Sequence, residues 1–95
     1  RDVLEPLRQR TRTIISDLLG ERATEQDIGF CEMSVIHQCL SFGFRGGKLP
    51  PYIAKGKPSS ALIEALVEHI TRFSIAGIAA VRADIERRTN QVHSV

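Results

Sequence analysis

Residues 59–88, SSALIEALVEHITRFSIAGIAAVRADIERR, contain no proline and read as one uninterrupted helix. At 1.5 Å per residue it would run roughly 40–45 Å, so the rest of a 95-residue chain must be organised along it. Ser59 or Ser60 is placed to cap its start. Its first half is two-faced. Leu62, Leu66, Ile70 and Phe73 recur at helical spacing, while Glu64, Glu68 and Arg72 step along another side. Glu68 with Arg72, and Asp84 with Arg88, stand at the i,i+4 spacing that favours ion pairs. Between Phe73 and Val81 (FSIAGIAAV) there is no charge, and the segment is apolar or small all the way round. A helix of that kind is covered on more than one side. Ser74, Ala76, Gly77, Ala79 and Ala80 are thin enough to admit a neighbouring backbone, and such packing would offset the roughly 1 kcal/mol that a mid-helix glycine costs against alanine. One short chain cannot cover this span alone. A second copy is the expected supplier. The tail from 89 to 95 has no periodicity and is expected to fray.

Two further helices are expected upstream. Asp2 to Leu19 keeps a helical apolar spacing through Leu4, Leu7, Ile14, Ile15, Leu18 and Leu19, with Thr11 filling the gap and Gly20 as a C-terminal stop. Arg8, Arg10 and Arg12 are expected to face water. Thr24 to about Phe42 is the second helix, with Thr24 as N-cap and Glu25 and Asp27 suited to the positive end of its dipole. Ile28, Cys31, Val35, Cys39 and Phe42 form its apolar stripe, widened by Met33, Ile36 and Leu40. Ser34, His37, Gln38 and Ser41 form a neutral polar stripe. Residues 43–58 (GFRGGKLPPYIAKGKP) break the helix at Gly46-Gly47 and Pro50-Pro51, and Leu49, Tyr52 and Ile53 are expected to pin this connection to the body.

Charge is unevenly spread about a net of +2. Residues 23–42 carry three acids and no lysine or arginine, and residues 43–58 carry four basic residues and no acid. No nucleic-acid motif accompanies that basic stretch, so it reads as a solvated loop. The longest uncharged window, Met33 to Phe44, is twelve residues, short of the ~18 a membrane span needs. Cys31 and Cys39, eight apart on one helix, would lie about 12 Å apart along its axis, beyond the ~7 Å a disulfide allows. Two buried thiols and a cytoplasmic setting are expected. The chain opens at Arg1 without methionine and is periodic almost at once, and so reads as part of a longer protein.

Residue types suited to chemistry give little. His37, His69, His93, Cys31 and Cys39 show no CxxC, HxxxH or HExxH spacing, so neither metal nor cofactor is expected. Ser34 and His37 are helix neighbours, but a helix interior offers no free N–H for an oxyanion hole, so no catalytic residue is expected. Arg45-Gly46-Gly47-Lys48 lacks the GxxxxGK[ST] phosphate pattern. LRQRTRTIISDLL superficially resembles the first helix of the all-helical chorismate mutases, in which Arg8, Arg12, Arg22 and Lys48 would be recruited. The later lysine and acidic pattern of that family is not evident.

A broader resemblance covers about residues 3–80. Ser34, Gln38, Cys39, Leu40 and Phe42 match an S-x-x-x-Q-C-L-x-F helix. His69, Ile70, Phe73, Ser74, Ile75, Ala76, Gly77 and Ile78 match a closing H-I-x-x-F-S-L-A-G-I helix. Together with PLRQRTRTIISDLLG these resemble the C-terminal part of TetR-family transcriptional regulators. The loop departs from that pattern, with Arg45-Gly46-Gly47 where Arg-Pro is expected. The resemblance implies an all-α effector and dimerisation domain over residues 1–88. Its last two helices would join a second copy in a four-helix bundle, and DNA would be bound only through an N-terminal helix-turn-helix not in this chain. It implies a repressor answering to a small molecule. The expected dimer interface comprises Ile70, Phe73, Ser74, Gly77, Ile78 and Val81 from the long helix and Ser34, Gln38 and Ser41 from the second. The expected ligand-binding residues are Ile14, Leu18, Met33 and His37, on inward sides of the first two helices. A structural dimerisation module without ligand is the alternative, with the small helical enzyme behind it.

Overall fold

The computed structural model describes residues 4–44 and 49–94, with side chains at 5–40 and 49–90. Among the described residues there are three helices, α1 (Leu4–Leu19), α2 (Glu25–Phe44) and α3 (Ser60–Ser94). No strand is present among the described residues. The all-α expectation holds.

Each helix boundary has a local cause. At the end of α1, Gly20 takes a left-handed φ of 96° and its N–H donates to the Ser16 carbonyl at 3.0 Å, closing the last turn. At the start of α2, the Asp27 N–H donates to Thr24 Oγ1 (3.1 Å) and the Thr24 N–H donates to Asp27 Oδ2 (2.9 Å), a reciprocal capping box. At the start of α3, Ser59 Oγ accepts from the Leu62 N–H at 3.1 Å. At the far end, where the tail was expected to fray, α3 continues. The helix runs on through residues 89–94 to Ser94. No glycine or proline interrupts it there, and the Thr89 hydroxyl donates back to the Ile85 carbonyl at 3.0 Å.

The three helices pack pairwise into a slab of 57 × 32 × 17 Å whose long axis follows α3. Its core is small: Ile15 and Leu19 from α1, Ile28 and Cys31 from α2, and Ile78 and Ile85 from α3. Burial selects one of two possible faces of α1. Arg8, Arg12, Ile15 and Leu19 share the inward face, while Leu7, Ile14 and Leu18 lie about 100° round and are exposed.

Arg8 and Arg12 were expected to face mostly water; their side chains are 53% and 36% exposed, and each is in addition tied to α2. Glu32, 7% exposed, accepts from Arg8 Nε at 3.1 Å and Arg12 Nη1 at 3.5 Å. Arg8 also pairs with Glu5, and Arg12 with Glu25. Two arginines one turn apart on α1 thus grip a carboxylate on α2 and set how α1 is rotated. The expected pairs Glu68–Arg72 (2.7 Å) and Asp84–Arg88 (3.3 Å) are both present.

Other expectations are corrected. Cys31 is buried but Cys39 is exposed. Eight residues at 100° each bring Cys39 about 80° round the helix from Cys31, far enough to leave the core. In the connection Leu49 is buried, whereas Tyr52 (87% exposed) and Ile53 point to solvent. The Ile53 and Ala54 N–H groups both donate to the Pro50 carbonyl, so this stretch is held by its own turn. The expected break at Gly46-Gly47 lies outside the described residues.

Candidate functional site

The antiparallel faces of α2 and α3 leave a groove between them of about 220 Å³. From α2 it is lined by Phe30, Cys31, Ser34, Val35 and Gln38. From α3 it is lined by Phe73, Ser74, Gly77, Ile78 and Val81. Every one of these residues is uncharged. Phe30 (59% exposed) and Phe73 (63% exposed) stand on its rims, and Ile78 and Cys31 belong to the buried floor. Gly77 is open: a Cβ built there would meet nothing within 4 Å.

The Gln38 amide nitrogen bridges the two walls of the groove. The Gln38 amide donates to the Ser34 carbonyl at 3.1 Å and to Ser74 Oγ at 3.2 Å, joining α2 to α3 at mid-groove. Burial pushes the Cys31 thiol upward in pKa, and the nearby charge of Asp27 adds to the shift, so the thiol stays protonated and behaves as an apolar wall. The His69 ring stacks on Phe73 at 5.7 Å between centroids.

Seven of the residues expected to form the dimer interface are brought together here: Ser34, Gln38, Phe73, Ser74, Gly77, Ile78 and Val81. Ile70 is half-buried one turn before Ser74 and does not line the groove, and the Ser41 side chain lies outside the described residues. Sequence reasoning missed Phe30. It stands four residues before Ser34 and eight before Gln38, so the stripe that contains them could have been extended back to it.

The residues expected to bind a ligand are placed differently. Ile14 (55% exposed), Leu18 (37%) and Met33 (52%) do not face inward, and His37 is exposed as well. The expectation that these four sit on inward surfaces is corrected. For Ile14 and Leu18 the cause is the α1 rotation set by Glu32. Met33 and His37 do share a cleft of about 310 Å³, with Arg8, Glu32, Ile36 and Leu40 around it. Ile14 and Leu18 lie elsewhere, on α1's outer stripe.

Among the described residues no group of three His, Cys, Asp or Glu side chains is arranged to hold a metal ion. No helix among them is long and apolar enough to cross a membrane.

The family model of the C-terminal domain of the HTH-type transcriptional dual regulator CecR matches residues 1–78. The chain belongs to that family. No curated protein and no solved structure matches it. The CecR-type match takes in all of α1 and α2 and ends at Ile78, inside α3, so it includes every residue lining the groove except Val81. The chain is therefore a transcriptional-regulator C-terminal domain, and membership of a regulator family speaks for a non-enzymatic role.

Proposed function

We propose that this chain is the dimerisation and effector domain of a TetR-type regulator, acting as a repressor whose DNA-reading heads lie outside the sequence given. Two copies meet through the α2–α3 face and form a four-helix bundle. A small molecule that binds one dimer geometry better than another shifts the spacing of the heads, and operator affinity changes by that difference in binding. The observation that carries this reading is the groove. It is an uncharged face with two exposed phenyl rings and an open glycine, and among the described residues eleven large apolar side chains are exposed against six buried. Exposed patches of that kind mark association surfaces.

The effector is assigned to the cleft beside Glu32. Its volume of about 310 Å³ falls at the lower end of the ~300–1,000 Å³ of small-molecule sites. Met33, Ile36 and Leu40 supply apolar walls, and Arg8, Glu32 and His37 supply polar contacts. Of the four residues expected to bind ligand, Met33 and His37 are retained in this assignment.

Sedimentation at micromolar concentration tests the dimer. A folded monomer under those conditions would defeat the interface. Thermal shift against aromatic and amphipathic small molecules tests the effector. Absence of any stabilisation would leave a structural association module in its place.

A further inference from the structure

The groove is sized for a side chain rather than a metabolite. Its volume of about 220 Å³ lies below the ~300 Å³ at which small-molecule sites begin, yet above the ~150 Å³ that holds a benzene ring. Its amide donors are also spent, because the Gln38 N–H groups go to the Ser34 carbonyl and Ser74 Oγ. A small polar ligand would find few anchors. An apolar ring needs none.

The same face carries such a ring. Phe73 is 63% exposed and is held in orientation by the stacked His69, with ring planes 26° apart. One turn later, about 6 Å along the axis, lies the hollow over Gly77. Knob and hollow therefore sit on one helix face, four residues apart. In a twofold interface each contact occurs twice with the roles exchanged. If α3 meets its copy antiparallel about an axis level with residue 75, Phe73 of each comes opposite Gly77 of the other. No charge lies between Arg72 and Arg82 to obstruct that approach.

We infer that the Phe73 ring of one copy seats over Gly77 of the second copy, reciprocally, and that this pair fixes the register of the dimer. The inference rests on the dimer reading of the groove face given above.

An exchange of knob and hollow tests it. Phe73→Ala removes the ring and Gly77→Phe fills the hollow. By sedimentation equilibrium each should weaken association about tenfold or more. The double variant puts the ring at 77 opposite a hollow at 73, and affinity should return to within about threefold of the original. Both positions are exposed and helical, and far-UV circular dichroism checks that helix content is kept. Gly77→Leu replaces Gly77→Phe, alone and with Phe73→Ala, if the larger ring unfolds the chain. Two weakened single variants without rescue would overturn this register and leave the interface standing. A monomeric parent, or a dimer indifferent to all three variants, would overturn both.

Discussion

Replacing Glu32 by alanine tests what sets the packing of α1. Among the described residues Glu32 is the charged side chain that the fold buries, and Arg8 and Arg12 hold it from α1. Breaking a fully buried ion pair by removing one partner costs about 3–5 kcal/mol, because the other charge is stranded. Here the arginine side chains are 53% and 36% exposed and retain Glu5 and Glu25 as partners, so neither is stranded. What remains is the loss of one well-placed charge-assisted hydrogen bond at 3.1 Å and one long contact at 3.5 Å. That sums to about 2 kcal/mol. For a domain of this size it corresponds to a fall in Tm of about 8–16 °C. Melts must be compared at one protein concentration, since the proposed association would make Tm depend on it. Glu32→Gln keeps the shape and one acceptor oxygen and should lose about half as much. A double-mutant cycle with Arg8→Ala should return a coupling of about 1 kcal/mol. If Glu32→Ala costs less than about 0.5 kcal/mol, the clamp does not decide which face of α1 is buried.

Three further outcomes are expected. The Thr24 N–H bond holds the Asp27 carboxyl below its ordinary 3.8 against the opposing effect of burial, and the Thr24 hydroxyl and Arg88 help. Its contribution is therefore complete above pH 3.8 and is lost as pH falls through the lower folded value. Asp27→Asn should cost about 1 kcal/mol near neutral pH, and urea midpoints of parent and variant should converge on acidification. A thiol reagent should label Cys39 within the time that leaves Cys31 untouched, because Cys31 is buried and its thiol pKa is raised. Equal rates would show that α2 does not pack as described. Ile85→Ala, at a site 2% exposed, should destabilise by about 2–4 kcal/mol in chemical denaturation.

Features that depend on a few neighbouring residues were legible in the sequence. Thr24 with Asp27, Ser59 with the next turn, and Gly20 after Leu19 each satisfy helix ends from within four residues. The groove was largely legible for a related reason. Absence of charge from Phe73 to Val81 and the thinness of Gly77 are properties of one helix, and they mark out the α3 wall of the groove before any tertiary contact is known. The connection was less legible. Tyr52 and Ile53 are apolar enough to suggest burial, but the turn closed on the Pro50 carbonyl directs them outward.

The ligand-binding residues were misread because α1 carries two competing faces. Leu7, Thr11, Ile14 and Leu18 make a stripe without charge, whereas Arg8, Arg12, Ile15 and Leu19 make one that is half cationic. Hydrophobic periodicity alone favours burying the first, and that preference put Ile14 and Leu18 inside. The fold buries the second, because Glu32 on α2 presents a carboxylate that only the arginine-bearing face can satisfy. Leaving that carboxylate unpaired would cost several kcal/mol, more than the roughly 1.5–3 kcal/mol from fully burying one further leucine or isoleucine. The rotation of α1 is thus decided by a residue twenty positions beyond Arg12, a pairing that no window along the first helix contains. Leu7, Ile14 and Leu18 stay exposed as its consequence.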